Sequence, residues 1–180
     1  MHLTIEDLDA GLPAIRESPR DHGTLELIAC RPTVGARAVL DVAALDLGSG
    51  LVGDNWSVRG SRRPDGWPDP ERQLTLINVR AIALIAGERE RWVLAGDQLY
   101  VDLDLAAANV PPGTRLQIGE AVVEVTPPPH TGCAKFSARF GDDALRWVST
   151  PAGRALNLRG VNARVAVPGQ IRRGDAVRKL

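Results

Sequence analysis

Cysteine is nearly absent from this 180-residue chain, and the two present, Cys30 and Cys133, cannot build a disulfide framework. Reduced thiols in a cytoplasmic protein are the expectation for such usage. Lysine is just as rare: Lys135 and Lys179 are its two examples, and arginine makes up the rest of the 22 basic residues. The coding bias of a GC-rich bacterium accounts for that preference without any recruitment of guanidinium chemistry. An excess of either charge is missing too, with 22 acidic residues against 22 basic ones and a pI near 6.8. Such a chain has no overall field to draw it onto nucleic acid or an anionic membrane. No apolar run approaches the ~20 residues of a membrane-spanning helix. The first segment, MHLTIEDLDAGLPAIRESPR, opens on acids and not on a basic stretch followed by an apolar one, so it does not read as a secretory signal. A phosphate-cradling P-loop, a dinucleotide fingerprint, a serine nucleophile elbow and internal repeats are all lacking.

What is present is ordinary globular material, 44% hydrophobic and 24% charged, in a length that suits one domain. A chain of this size buries roughly 70% of the surface its unfolded form exposes. Thr4 followed by Glu6 and Asp7 is a helix start, and Ile5, Leu8, Leu12 and Ile15 form one apolar stripe that Gly11 and Pro13 interrupt. Residues 1–23 therefore read as a helical extension packed on a domain spanning 24–180. From Thr24 the period shortens to that of a strand, with Leu25, Leu27 and Ala29 alternating with Glu26, Ile28 and Cys30. Arg37–Leu47 reads as one longer strand. Residues 48–72 have no hydrophobic period and make an unusually long connection, a functional loop or a disordered one. Further strands are expected over 73–78, 99–105, 115–118, 121–126, 161–167 and around Ile171. Asn78 is placed to cap a helix ending near Gly87, and a short helix is expected over 142–148. Three consecutive prolines, Pro127–Pro129, should end any strand. About eight short strands against two or three short helices predict a mainly β fold, a barrel or a strongly curved sheet, with a few short peripheral helices.

The stretch richest in chemistry is Thr126–Phe140, TPPPHTGCAKFSARF. Cys133 follows a rigid proline run and a glycine, with His130, Lys135 and Arg139 close in sequence. Nearby cations favour the thiolate, which is both nucleophile and metal ligand; a small buried hydrophobe is the alternative role for such a residue. Cys30 ends an apolar strand and reads as packing. His130 and Cys133 are spaced like half of a zinc site, but His2, His22 and Cys30 lie too scattered to complete it. Asp54, Asp97 and Asp175 each follow a glycine, the signature of a turn. Arg59, Arg62 and Arg63 in the long connection are candidates to meet an anion such as a phosphate, against a simpler role as a solvated loop.

Several segments then fall into a recognisable order: GLVGD at 50–54, AGDQL at 95–99, LQIGEAVVEVT at 116–126, a single cysteine soon after, and RGVNARVAVPGQIRRGDAV at 159–177. In that order they resemble the MOSC family, named for the C-terminal domain of molybdenum cofactor sulfurase, over residues 24–180. The resemblance implies a MOSC-type β-barrel associated with the molybdenum cofactor (molybdopterin). It also implies that Cys133 carries sulfur as a persulfide or ligates molybdenum, with His130 and Lys135 stabilising charge beside it. Arg59, Arg62, Arg63 and Arg139 are the cationic candidates for cofactor contact. Asp97 and Gln98 stand where many relatives carry Glu-Asn, which gives them a pocket-facing role in the resemblance. PHTG before the cysteine departs from the family's usual proline- or arginine-rich approach. Pyridoxal phosphate is not expected, because desulfurating relatives bind it on a large separate domain.

The leading reading is a cofactor-binding or sulfur-carrier protein whose partners are the molybdenum cofactor or a molybdoenzyme, with a sulfur donor or an electron-transfer protein. Two alternatives remain at this level. One is a molybdenum-dependent reductase of N-hydroxylated compounds with an external electron donor. The other is a barrel that binds a small ligand or partner and does no chemistry, the 48–72 loop serving as its recognition surface.

Overall fold

A computed structural model describes residues 2–59 and 62–180; the side chain of Arg59 lies outside the described residues. The strands are β1 His22–Cys30, β2 Ala38–Leu40, β3 Val42–Asp46, β4 Gly50–Leu51, β5 Leu74–Asn78, β6 Leu99–Asp102, β7 Arg115–Ile118, β8 Ala121–Pro129, β9 Val161–Val167, β10 Gly169–Arg172 and β11 Ala176–Lys179. The helices are α1 Ile5–Ala10, α2 Leu12–Arg16, α3 Trp56–Arg59, α4 Val79–Ala86, α5 Arg89–Trp92, α6 Ala134–Phe140, α7 Asp142–Ser149 and α8 Pro151–Ala155. Seven strands close into a barrel in the order β1-β11-β7-β8-β9-β5-β6, with β6 returning to β1. Closure removes the exposed edges that an open sheet of this size would carry. The β5–β6 pair alone is parallel among these neighbours, and α4 and α5 make the crossover it requires. β2 adds to the wall on β1, and β3 lies between β10 and β4 in a separate three-stranded sheet.

Two apolar layers hold this together. Leu25, Ile28, Leu76, Leu99, Val101, Val123 and Ala163 fill the barrel. Leu27, Ala29, Ile77 and Tyr100 point outward from the same strands and meet Leu8, Ile82, Phe136, Phe140 and Trp147 from the helices. The alternation expected along β1 holds only in part. Register with β6 shifts between Leu25 and Leu27. That bulge at Glu26 turns Leu27 outward and returns Ile28 and Cys30 to the interior with Leu25, because one extra residue reverses every side chain beyond it.

Other local expectations are met by named contacts. Thr4 and Asp7 form a reciprocal capping box on α1, and Asn78 Oδ1 accepts from the backbone N–H of Arg80 (2.8 Å) and of Ala81 (3.2 Å) at the start of α4. The extension docks through Leu8 and Ile15, both buried, and through the Trp147 indole N–H, which donates to Asp9 at 2.8 Å.

Three expectations need correcting. Arg37–Leu47 is not one strand: it bends at Asp41, and its halves join different sheets. The prolines do not end β8, which continues to Pro129 opposite Val161. They fall in a stretch where register slips between Val125 and Pro129, so no ladder bond needs the N–H they lack. The helices outnumber the two or three expected, because α6 and α8 are too short to show a period. Among the described residues no helix is long and apolar enough to cross a membrane.

Candidate functional site

The irregular end of β8 delivers His130 to a place where three clefts meet. The first, about 260 Å³, is lined by Arg31, Trp56, Arg72, Thr75 and Asn162 together with Pro129, His130 and Thr131. The second, about 270 Å³, shares those last three residues and no others, and is completed by Gly132, Arg154, Asn157, Arg159 and the end of α7. A third, about 180 Å³, runs below the prolines. A fourth and larger groove, about 550 Å³, is lined by Trp56, Arg62, Arg63 and Trp67 in the long connection. Asn162 keeps the proline run in place by donating to Pro128 O at 2.9 Å. Gly160, at φ 100°, lets β9 begin hard against β5: a Cβ there would stand 2.2 Å from Leu76 O.

Charged side chains bracket the imidazole. Asp97 is fully buried, with Oδ1 3.4 Å from His130 Nδ1 and Oδ2 accepting from Arg159 Nη1 at 2.7 Å. Among the described residues neither Asp97 Oδ1 nor His130 Nδ1 has a hydrogen-bond partner. Arg159 also donates to Ala95 O at 2.9 Å and lies 4.9 Å from the centroid of the Phe136 ring. On the other side, Arg31 grips Asp54 through Nε (2.9 Å) and Nη2 (2.7 Å) and donates through Nη1 to Gly96 O at 3.3 Å. Asp54 accepts the backbone N–H groups of Arg31 and Trp56 as well.

Burial pushes the His130 pKa down to about 3; the Arg159 and Arg31 guanidiniums push the same way, against the Asp97 carboxylate. The ring is therefore neutral at neutral pH and cannot supply the cationic stabilisation expected of it beside a thiolate. With a carboxylate facing Nδ1, the proton belongs on Nδ1 and the lone pair on Nε2.

The two cysteines part company. Cys30 is 5% exposed, inside the barrel, and burial raises its thiol pKa, with Asp54 adding to the effect. Cys133 is exposed and caps α6 at φ −135°, directly after the Gly132 that lines the second cleft. Among the described residues no group of three or more His, Cys, Asp or Glu side chains could hold a metal ion. A metal at Cys133 would have to bring its other ligands with it.

The remaining sequence candidates separate. Lys135 is exposed. Gln98 is buried and committed to the frame: its Oε1 accepts from Thr75 N (2.9 Å) and Thr75 Oγ1 (2.7 Å). Arg139 donates to Leu94 O and stands near Arg37, whose guanidinium pKa is lowered first by burial and then by Arg139 and Arg31. Arg62 and Arg63 stay in the long connection, Arg62 on the carbonyls of Val58 and Gly66 and Arg63 on Asp65, away from His130. Arg59 lies outside the described side chains.

Two of the glycine–aspartate pairs do more than turn the chain. Gly53 (φ 87°), Gly96 (φ 88°) and Gly174 (φ 93°) do make the turns. Two of the aspartates that follow nonetheless turn inward onto arginines, while Asp175 accepts from Arg172 N in its own turn. Nothing local in sequence marks Arg31 or Arg159, whose carboxylate partners Asp54 and Asp97 lie 23 and 62 residues away, and nothing local marks Arg72 or Trp56 as lining the cleft, which folding alone brings beside His130.

Comparison with known proteins agrees with this architecture. The model of the MOSC domain matches residues 68–178. Among solved structures, the YUAD protein of Bacillus subtilis superposes with a TM-score of 0.64 at 17% identity, over 87% of this chain and 94% of that one. YiiM of Escherichia coli gives 0.56 at 21% identity over 87% and 69% of the two chains. YiiM of Geobacillus stearothermophilus gives 0.58 at 13% identity over 88% and 75%. No curated protein matches the sequence.

Proposed function

The chain belongs to the MOSC domain family, which is associated with the molybdenum cofactor, and on that premise we propose that it binds this cofactor with the Cys133 thiolate as its ligand to molybdenum. The observation that carries the proposal is the placement of Cys133: an exposed sulfur standing beside clefts, on a scaffold whose other cysteine is buried. A sulfur carrier working by itself needs an accessible thiol but no cleft, so the clefts favour a bound cofactor.

The residues present suit such a group. A thiolate is a soft ligand that molybdenum accepts. Arg154 and Arg159 line the second cleft and offer guanidinium donors to an anionic ligand, while Asn157 and Thr131 offer paired donor and acceptor groups to a heterocycle edge. Cys133 is the thiol next in sequence to the Gly132 that lines this cleft, and a single thiolate matches a metal that arrives with most of its ligands. His130 orients without charge: the Asp97 carboxylate 3.4 Å from Nδ1 favours a proton there, which leaves Nε2 to accept a proton or a hydrogen bond. Arg159 and Asp97 hold one another in a buried pair and so keep the wall of the second cleft rigid. Bound there, the cofactor would supply two-electron redox chemistry at its metal.

The test is elemental and chemical analysis of protein purified from a host that makes the cofactor, with Cys133→Ser alongside. Wild type is expected to carry molybdenum and pterin, and the variant, folded by circular dichroism, to lose the metal. Equal molybdenum in both would remove the thiolate as ligand. Cyanolysable sulfur without metal would move Cys133 to the sulfur-carrier role.

A further inference from the structure

Outside the clefts, cations without a carboxylate gather on one face. Arg37, Arg91, Lys135 and Arg139 make no ion pair among the described residues, although the chain carries as many acids as bases. Lys135 and Arg139 lie one turn apart on α6, Arg91 Nη2 donates to Arg139 O at 3.0 Å, and Arg139 stands within Coulombic reach of Arg37. The acids nearest in sequence are engaged elsewhere or stay unpaired with them. Asp41 pairs with Arg173, Asp142 accepts from Ser137, and the ion pair of α5 runs from Arg89 to Glu26 and not to Glu88 or Glu90. Arg37 is the sharpest case: Nη1 donates to Ala36 O at 2.6 Å, but Nε is buried with no partner among the described residues. Burial lowers its pKa, and Arg139 and Arg31 add to the effect. Like charges held around an unmet donor cost free energy, which a carboxylate set into the planar fork would offset. Two features point to a protein surface over a free anion. The cations are spread over three elements, with Arg91 and Lys135 out in solvent. Val34 and Val39, 60% and 55% exposed, bracket Arg37 beside the edge of β2 that no described strand covers, and apolar contacts among charges are what a protein interface combines. Nucleic acid is held by net positive charge, which this chain lacks.

We propose that Arg37, Arg91, Lys135 and Arg139 form a docking face for the acidic surface of a partner protein, with an aspartate or glutamate of that partner held by Arg37 and Arg139 and an apolar side chain resting on Val34. The face ends at Cys133, which caps α6 about 9 Å along the helix from Arg139. A protein docked there is delivered to that thiol. This purpose rests on the role proposed for Cys133; the docking itself does not.

Fluorescence anisotropy of a short, fluorescein-labelled glutamate peptide with a central leucine, titrated with the metal-free full chain at low ionic strength, tests the face. Binding is expected to saturate and to weaken as salt is added. Arg37→Gln should weaken it about tenfold, and Arg91→Gln, at an exposed position that folding does not depend on, about fivefold. Arg178→Gln removes the same charge from an exposed, unpaired position on β11 and should change affinity less than about twofold. Absence of saturable binding, or equal losses in Arg91→Gln and Arg178→Gln, would overturn the proposal. So would displacement of the peptide by succinate at constant ionic strength, which would make Arg37 the site of a free anion. Tighter binding of single-stranded DNA of the same length would give the face to nucleic acid, and dimerisation of the chain alone that Arg37→Gln abolishes would give it to a second copy; either also refutes it. Cys133→Ser should bind the peptide as wild type does, so the docking face and the metal ligand stand or fall separately.

Discussion

Replacing His130 by Gln should change how stability depends on acidity more than it changes stability itself. The ring is only 17% exposed, and burial, helped by the Arg159 and Arg31 guanidiniums, outweighs the Asp97 carboxylate and holds its pKa at about 3, against 6.5 for an ordinary histidine. Above pH 6.5 the ring is neutral in both folded and unfolded chains and contributes no pH dependence. Below it the unfolded chain takes up a proton that the folded protein refuses, so stability falls by about 1.4 kcal/mol per pH unit until the folded pKa is reached. Between pH 6.5 and 4.5 that amounts to about 2.7 kcal/mol, somewhat less for the part of the ring that water reaches. Urea unfolding of wild type and His130→Gln at intervals from pH 7.5 to 4.5 isolates the effect. Carboxylates with lowered pKa, such as Asp21, Asp46 and Glu124, remain in both proteins and cancel in the difference. The difference between the two curves should close or reverse as pH falls. Parallel curves would mean that the imidazole titrates normally and that its surroundings do not depress its pKa.

Two further outcomes follow from the same geometry. Asp97→Ala leaves the Arg159 guanidinium, 8% exposed, without its carboxylate, and should cost about 3–5 kcal/mol in urea unfolding; an Asp97→Leu, Arg159→Met double variant should recover much of that loss, and equal losses in both would show that the pair is not what matters. In the folded protein a thiol reagent should modify one cysteine, Cys133, while Cys30 reacts only on unfolding; peptide mapping that finds both labelled under native conditions would remove the separation on which the role of Cys133 rests.

Local signals were read well where one short segment carries both the cause and the result. The Thr4–Asp7 box, the Asn78 cap and the β7–β8 hairpin around Gly119 need only neighbours in sequence, and each stands where its residues imply. The resemblance of ordered short motifs to the MOSC family added the closed barrel, which periodicity by itself left as one of two architectures. Weak signals were passed over in two places. Phe136 and Phe140, four apart and both buried, mark α6, although a single pair inside a proline- and glycine-rich stretch does not separate a short helix from a loop. The prolines of β8 were given their intrinsic preference, whereas the register slip opposite β9 frees them from it.

The sequence by itself determined that Cys30 lies in an apolar strand and that Cys133 lies outside any periodic segment, whereas the bulge that returns Cys30 to the barrel interior and the exposure of Cys133 belong to the tertiary structure. It also determined the tight Gly96–Asp97 and Gly53–Asp54 turns, since φ near 90° is open to glycine and closed to most other residues. Only the tertiary structure decided where those aspartates point. Asp97 meets Arg159 and His130, and Asp54 meets Arg31, across separations in sequence that no local pattern encodes. Charge and protonation at the site depend on these pairings, so the same histidine that looks cationic in sequence becomes a neutral acceptor once barrel closure buries it between two arginines and a carboxylate.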